Sequence, residues 1–482
     1  MKWLWALILF IVCTQVHATT YYMSPTGVDT AAGTSAAPWL TPNHNGLRCG
    51  VDTITAVAAT NYNAASFGAG QWGTVSCSGA NNVVWVQCAT FDACKVASAT
   101  TFGIQIGASY WGVQGFEVTT TASGFGTCFS AAPYTSTTTI HHIIFANNVA
   151  RVCQGGGVGS YNNGAASVDY FAIVGNIVYS ATNGANQCFS GISIYQPANY
   201  DTAKGTHIFV DGNFAYANLN PASCSSNGVT TDADGLIFDT FDRSAYGGAP
   251  YTGDAVGENN LIIGNGGKGI ESQSYTQNAT TYGNKYFFNN TLYGDNKGTI
   301  ESTNLCAEAL VNIDYGVTYK NNLIRTTAAK ACPNSSGAYQ YAVSVWYGTG
   351  TTSAATVSGN DLFAASGMNT SNYPTNDGFT FGTNAGTDPV FASAGTPGSP
   401  NCTGKANVVD CMSTTLTGFT PTVSSTTSYG YQKPVTTQVA DAYFPTWLCN
   451  ANLPSGIVST PCSSVSNLTP AFQGMQLQGP IR

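Results

Sequence analysis

Apolar and polar residues alternate in short runs along most of this chain, and Asn or Gly repeatedly stops the alternation. In order, the runs read IIFANNVA, AIVGNIVY, IFVDGNFAY, AVGENNLII, KYFFNNTLY, VTYKNNLIR and ATVSGNDLF. Alternation with a period of two predicts half-buried strands, and Asn or Gly between two such runs predicts a tight bend. The second bend position is Asn148, Asn176, Asn213, Asn260, Asn290, Asn322 and Asn360. One such Asn marks a turn. The same Asn in the same context at every pass marks a coil repeated along the chain. Asn tolerates the left-handed backbone of a sharp bend, and stacked Asn side chains can bond to one another as a ladder. WGVQGFEV, around Gly115, reads as an earlier and weaker copy.

A second series interleaves with the first: GGVGS, GISIYQ, GLIFDTF, GIESQS, TIEST and AVSVWY, one for each Asn turn. Strand, loop, strand, Asn turn and strand, repeated in phase, predict parallel strands stacked into a β-solenoid. An all-β sandwich also uses many short strands, but it gives no reason for the two motifs to alternate. Stacking aligns an inward column at Val158, Ile192, Leu236, Ile270, Ile300 and Val343. Alternation then sends Gly159, Ser193, Ile237, Glu271, Glu301 and Ser344 outward. A second outward column holds Tyr161, Tyr195, Asp239, Gln273, Thr303 and Trp346.

The two ends differ from this middle. Residues 1–18, MKWLWALILFIVCTQVHA, have a lysine, an apolar run and an A-x-A-like end, so they read as a secretory signal peptide. That run is short for a membrane span, and no later segment is apolar enough to be one. Beyond Ala392 the Asn turns stop, and residues 393–482 are rich in Pro, Ser, Thr and Cys. They predict an extended tail pinned by disulfides against the last coils, because an open solenoid end is an unpaired strand edge. The coil region is therefore 19–392.

Composition narrows the chemistry. Without Cys13, fourteen of the 15 cysteines remain, and in an exported chain the default is pairing. Cys88 with Cys94, Cys402 with Cys411 and Cys449 with Cys462 are the close pairs. No C-x-x-C occurs and only 5 histidines exist, which disfavours a structural zinc site. A net charge of −8 with 8% charged residues leaves no basic footprint for nucleic acid. His141 and His142 read as ordinary surface or core histidines and His207 as an edge residue, and GNGGKG lacks the Lys-Ser/Thr pair of a phosphate loop.

The phased NN turns, the opening YYMSPTGVDTAAGTSAAPW and the late TDPVFA resemble the right-handed parallel β-helix proteins that include pectate lyases. The resemblance covers about Thr19 to Ala392. It implies an all-β right-handed parallel β-helix (β-solenoid), capped at its N-terminus, with long loops on one flank forming a groove. It further implies a secreted (extracellular or periplasmic) protein that acts on polysaccharide. The Gly-His and Arg-x-Lys patterns of the related polygalacturonases are missing.

In a chain so poor in charge, DADGLIFD places three carboxylates around one apolar run. Stacking sets Glu271 beside Glu301, with Asp239 one coil earlier. Like charges on facing positions share a proton, bind a cation or pair with a base. A separation of about 5–5.5 Å suits a retaining glycosidase, which fits Glu271 with Glu301; about 6.5–9.5 Å suits an inverting one, which is near Asp239 with Glu301. Alternatively Asp232, Asp234, Asp239 and Glu271 gather Ca2+, and Lys268 or Arg243 removes a proton beside a uronate carboxylate, which is the lyase logic of the resembled enzymes. Tyr161, Tyr195 and Trp346 flank the acids as rings on which sugars stack. The competing expectation is a non-catalytic glycan-binding or adhesive scaffold, and in either case a monomer.

Overall fold

The computed structural model describes residues 18–453 except 78–82, 100–101, 122–125, 183–187, 221–231, 244–247, 275–282, 298–306, 328–340, 347–354, 366–369, 374–379, 432–442 and 450. The signal-peptide expectation and the Cys462 pairing therefore lie outside the described residues.

The described strands form three sheets of 12, 10 and 9 strands, and every pairing between named strands is parallel. Each coil visits the sheets in turn. Ile140–Ala146 lies in the first, Val149–Arg151 in the second and Val158–Ser160 in the third, before Val168–Val174 returns to the first. Parallel connections of this kind are right-handed, and the protein is a parallel β-helix. Its interior is one continuous apolar column in which rings stack from coil to coil. Phe238 lies on Phe287 at 4.9 Å, and Phe287 on Tyr319 at 4.8 Å.

The Asn bend between the first and second sheets divides its work between two residues. The first adopts the left-handed conformation: Asn147 (φ 55°), Gly175 (57°), Gly212 (67°), Asn259 (53°), Asn289 (54°), Asn321 (57°) and Gly359 (67°). Only Asn and Gly occur there, the residues that reach this region at least strain. The second residue is the buried ladder Asn. Asn260 Oδ1 accepts from Asn213 N (3.0 Å) and Nδ2 (3.0 Å), while its own Nδ2 donates to Asn290 Oδ1 (2.9 Å) and Val210 O (3.1 Å). The same pattern runs from Asn148 through Asn360 and continues to Asn384. A shorter ladder, Asn218–Asn265–Asp295, follows the second sheet.

The outward faces of the first and second sheets are apolar too. Ile144, Phe209, Val256 and Phe288 point away from the core and are covered by Val408, Met412, Phe419, Phe444 and Trp447. The C-terminal segment thus runs back along the flank of the helix instead of meeting only the last coils. Trp85 Nε1 donates to Ala451 O at 2.7 Å, and Val408 N to Asn147 Oδ1 at 2.9 Å. The physical reason is burial, since about 25 cal/mol per Å² of apolar surface favours covering this face. Cys402–Cys411 holds the segment, and Cys88–Cys94 forms as the spacing predicts. Cys49–Cys77 and Cys128–Cys153 are further bridges, and Cys188 and Cys449 are also oxidised. The disulfides fit an oxidising compartment. No helix among the described residues is long and apolar enough to cross a membrane.

Candidate functional site

The third sheet carries the acids. Val158, Ile192, Leu236 and Ile270 stack in register as expected. The next partner of Ile270 is Ala309, and Leu310 takes the place beside Glu271. The strand is Ala307–Asn312, in which Ala309 and Val311 face the core, so its own alternation sets the register. The expected Ile270–Ile300 pairing is thereby corrected, and Glu301 lies outside the described residues. Val343 rejoins the column opposite Ala309.

The second outward column survives as Tyr195, Asp239, Gln273 and Asn312, each opposite the next, and the register continues to Trp346. Tyr195, Asp239 and Gln273 keep partial exposure. Glu271 lies one rung beyond Asp239 and two residues back along the strand. It is 1% exposed, accepts from Asn312 Nδ2 at 3.1 Å, and pairs with the equally buried Lys268 Nζ at 3.4 Å. Burial pushes the Asp239 carboxyl up to about 7. The Thr240 hydroxyl, donating at 2.5 Å, opposes that rise, while the nearby Glu271, Asp242 and Asp314 add to it. Asp314 itself is buried and accepts from Lys285 Nζ at 2.7 Å. The structure therefore assembles one half-open acid beside two buried ion pairs.

The other expected residues have different tasks. Asp234 is wholly buried; its carboxylate accepts the Lys268 backbone N–H at 2.6 Å and the Ser190 hydroxyl at 3.2 Å, so it holds two turns together. Asp232 lies near Tyr161, whose hydroxyl meets Thr127 Oγ1 at 2.8 Å and whose ring lies edge-on to Phe102 at 5.8 Å. Arg243 Nη2 donates to Ala165 O at 2.8 Å. Trp346 ends the strand Tyr341–Trp346.

A second cluster lies where the third sheet turns into the first. Tyr110 (φ 68°), His142 (56°) and Tyr170 (44°) occupy left-handed bulges on consecutive coils. Their rings stack with His207 in one column: Tyr110–His142 at 4.9 Å, His142–Tyr170 at 4.6 Å and Tyr170–His207 at 3.9 Å. His141 and His142 share a proton between their Nδ1 atoms at 2.9 Å. Burial holds them at about 4 and about 3, so both rings are neutral. Reading these histidines as ordinary missed the cluster. The available signal was scarcity, since three of the 5 histidines fall between positions 141 and 207.

Asp169, Asp201 and His207 each bring a ligand-type atom within 4.8 Å of the others. Among the described residues, this is where acidic groups and a histidine converge. The Asp169 carboxylate already accepts four donors: Tyr170 N (2.8 Å), Tyr200 N (2.7 Å), Tyr251 hydroxyl (2.6 Å) and His207 Nδ1 (2.9 Å). Three of these partners crowd Asp169 Oδ1, so a calcium ion, which requires several oxygen ligands, would have to draw on Asp169 Oδ2 and Asp201.

No protein-family profile and no curated protein matches the chain. Solved structures do. Pectate lyase Pel9A aligns with a TM-score of 0.43 at 14% identity over 78% of this chain and 83% of its own. The A-module of the Azotobacter vinelandii mannuronan C-5 epimerase AlgE4 aligns with a TM-score of 0.35 at 12% identity over 69% and 91%. The GH136 lacto-N-biosidase of Eubacterium ramulus aligns at 0.33 and 11% over 76% and 67%. At these values none of them transfers a role to a residue of this chain.

Proposed function

We propose that this protein is a secreted glycan-cleaving enzyme, a polysaccharide lyase or glycoside hydrolase, with Asp239 as its proton-transfer group. The observation that carries the reading is the state of Asp239. It is a half-open carboxyl held near 7 by burial and by neighbouring acids, in a column that offers Tyr195 on one side and Gln273 on the other. A carboxyl titrating near the working pH can both hold and release a proton. In hydrolysis Asp239 gives its proton to the leaving glycosidic oxygen. In elimination it takes the proton from the carbon beside a uronate carboxylate.

Glu271 is one rung on and diagonal to Asp239, a backbone separation of roughly 7–8 Å. Its burial and its bond to Lys268 give it a different role: a fixed negative charge that keeps the Asp239 proton in place. Lys268 and Arg243 are both engaged, so neither serves as the base. Tyr195 offers a ring face to the sugar. Calcium enters no step. A second reading, a non-catalytic glycan scaffold, is favoured by the near-complete burial of Glu271, Lys268 and Asp234.

The test is incubation of the full chain with a panel of acidic and neutral polysaccharides. Unsaturated, ultraviolet-absorbing ends identify a lyase, and new reducing ends alone a hydrolase. Cleavage lost in Asp239→Asn supports the proposal. No cleavage of any member, or cleavage unaffected by Asp239→Asn, sinks it.

A further inference from the structure

We infer that a cavity on the early coils is a binding subsite for a neutral saccharide unit, on the same flank as Asp239. It has a volume of about 560 Å3, and its lining residues include Trp72, Tyr110, Tyr134, Ser109, Thr135 and Thr138. None of its lining residues carries a charge.

The rings are held in place. Trp72 is 6% exposed, its Nε1 donates to Gln105 O at 2.6 Å, and its ring meets Trp111 edge-on at 5.2 Å. Tyr110 is clamped between His142, which it stacks on, and His141, which it meets edge-on at 4.8 Å. Tyr134 is 68% exposed, and its ring lies against Gly70, where a Cβ would stand 3.1 Å from it. A large ring left in water over a residue that makes room for it is an open stacking face.

Aromatic walls with a few convergent hydroxyls suit a ligand with apolar C–H faces and hydroxyl edges, which describes a pyranose. A uronate would bring a carboxylate into a site with no cation to receive it, and desolvating that charge without a partner is unfavourable. The chemistry therefore selects a neutral sugar.

Position links the cavity to the acid. Gly107, in the cavity wall, follows Ile106, and the register runs Ile106, Ala131, Ser160, Ile194, Phe238. Gly107 thus belongs to the column of Asp239, four rungs away, roughly 19 Å at the 4.7–4.9 Å strand spacing. One glycan chain lying along the helix axis reaches both. The inference rests on the glycan reading of Asp239 for its ligand class, but binding does not need that carboxyl.

Calorimetric titration of the full chain with β-1,4-linked hexamers of glucose, xylose and mannose, and with hexagalacturonate, tests it. At least one neutral hexamer binds, and Tyr134→Ala weakens that binding about tenfold. Failure of all three neutral hexamers to bind overturns the inference. So does binding that ignores Tyr134→Ala, or a Tyr134-dependent preference for galacturonate. Neutral-sugar binding without cleavage of any glycan leaves the subsite standing and removes the catalytic role of Asp239. Cleavage without neutral-sugar binding does the reverse.

Discussion

The bend between the first and second sheets and the outward column of the third sheet run side by side through the same coils, yet they use sequence in opposite ways. At the bend seven successive coils repeat one solution: Asn or Gly in the left-handed position, then a ladder Asn. On the third sheet the column reads Tyr195, Asp239, Gln273, Asn312, with no residue repeated. Repetition marks what each coil needs in order to stack on the next. Variation at a fixed geometric position marks freedom from that need, and there an acid near neutrality can be placed.

Damaging each region separately distinguishes their tasks. Asp239→Asn is expected to lower turnover of the cleaved glycan by about 10²–10⁴-fold, the usual contribution of general acid–base catalysis, with the urea unfolding midpoint essentially unmoved. Asn260→Ala should do the opposite. It strands the Asn213 backbone N–H and takes the amide donor from the Val210 carbonyl inside the wall. With about 1–3 kcal/mol for each unsatisfied buried group, a loss of about 3 kcal/mol or more is expected in urea unfolding. Equal damage to both properties by both variants would erase the distinction.

Legibility followed the same division. The ladder positions Asn148 through Asn360 were readable because each coil needs an amide that both donates and accepts, and the repeat states this seven times over. Asp239 was readable because register carries it from the inward Leu236. The pairing of Glu271 with Glu301 was not, because the alternation of Ala307, Ala309 and Val311 sets the register of the strand beside Ile270. The cluster around Asp169 and His207 was not readable either. It depends on left-handed bulges at His142 and Tyr170, residues whose types do not announce that conformation. The return of the C-terminal segment over Phe209 and Phe288 depends on contacts between residues far apart in the chain.

Buried acids extend the comparison to pH. Burial raises Asp211 to about 8, Asp239 to about 7 and Asp295 to about 6, and Glu308, buried beside Asp295, rises well above its ordinary range. Above the ordinary carboxyl range the folded chain therefore holds protons that the unfolded chain has released, and stability falls as pH rises through this window. His141 and His142, lowered to about 4 and about 3, act in the opposite sense, an effect that fades above their ordinary 6.5. Between pH 7 and 8 the carboxyls outweigh the fading contribution of the lowered histidines, His44 included, so the thermal midpoint is expected to fall across that interval. Asp211→Asn should flatten the fall, and a midpoint rising with pH would contradict the assignment.

The smallest expected effect separates the two roles open to Asp239. Thr240 donates to its carboxylate and favours the ionised form. Thr240→Ala removes that bond while the backbone stays left-handed, as it does at the neighbouring Gln196 and Ile313, so the wall keeps its shape. The Asp239 carboxyl then titrates at higher pH. If Asp239 acts as an acid, activity in the variant persists further into alkali; if it acts as a base, activity sets in later. Either way turnover near pH 7 changes by less than about tenfold, the equivalent of one pH unit. The direction in which the pH–rate profile moves thus reports whether the glycan bond is hydrolysed or eliminated, and an unmoved profile would place the titrating group elsewhere.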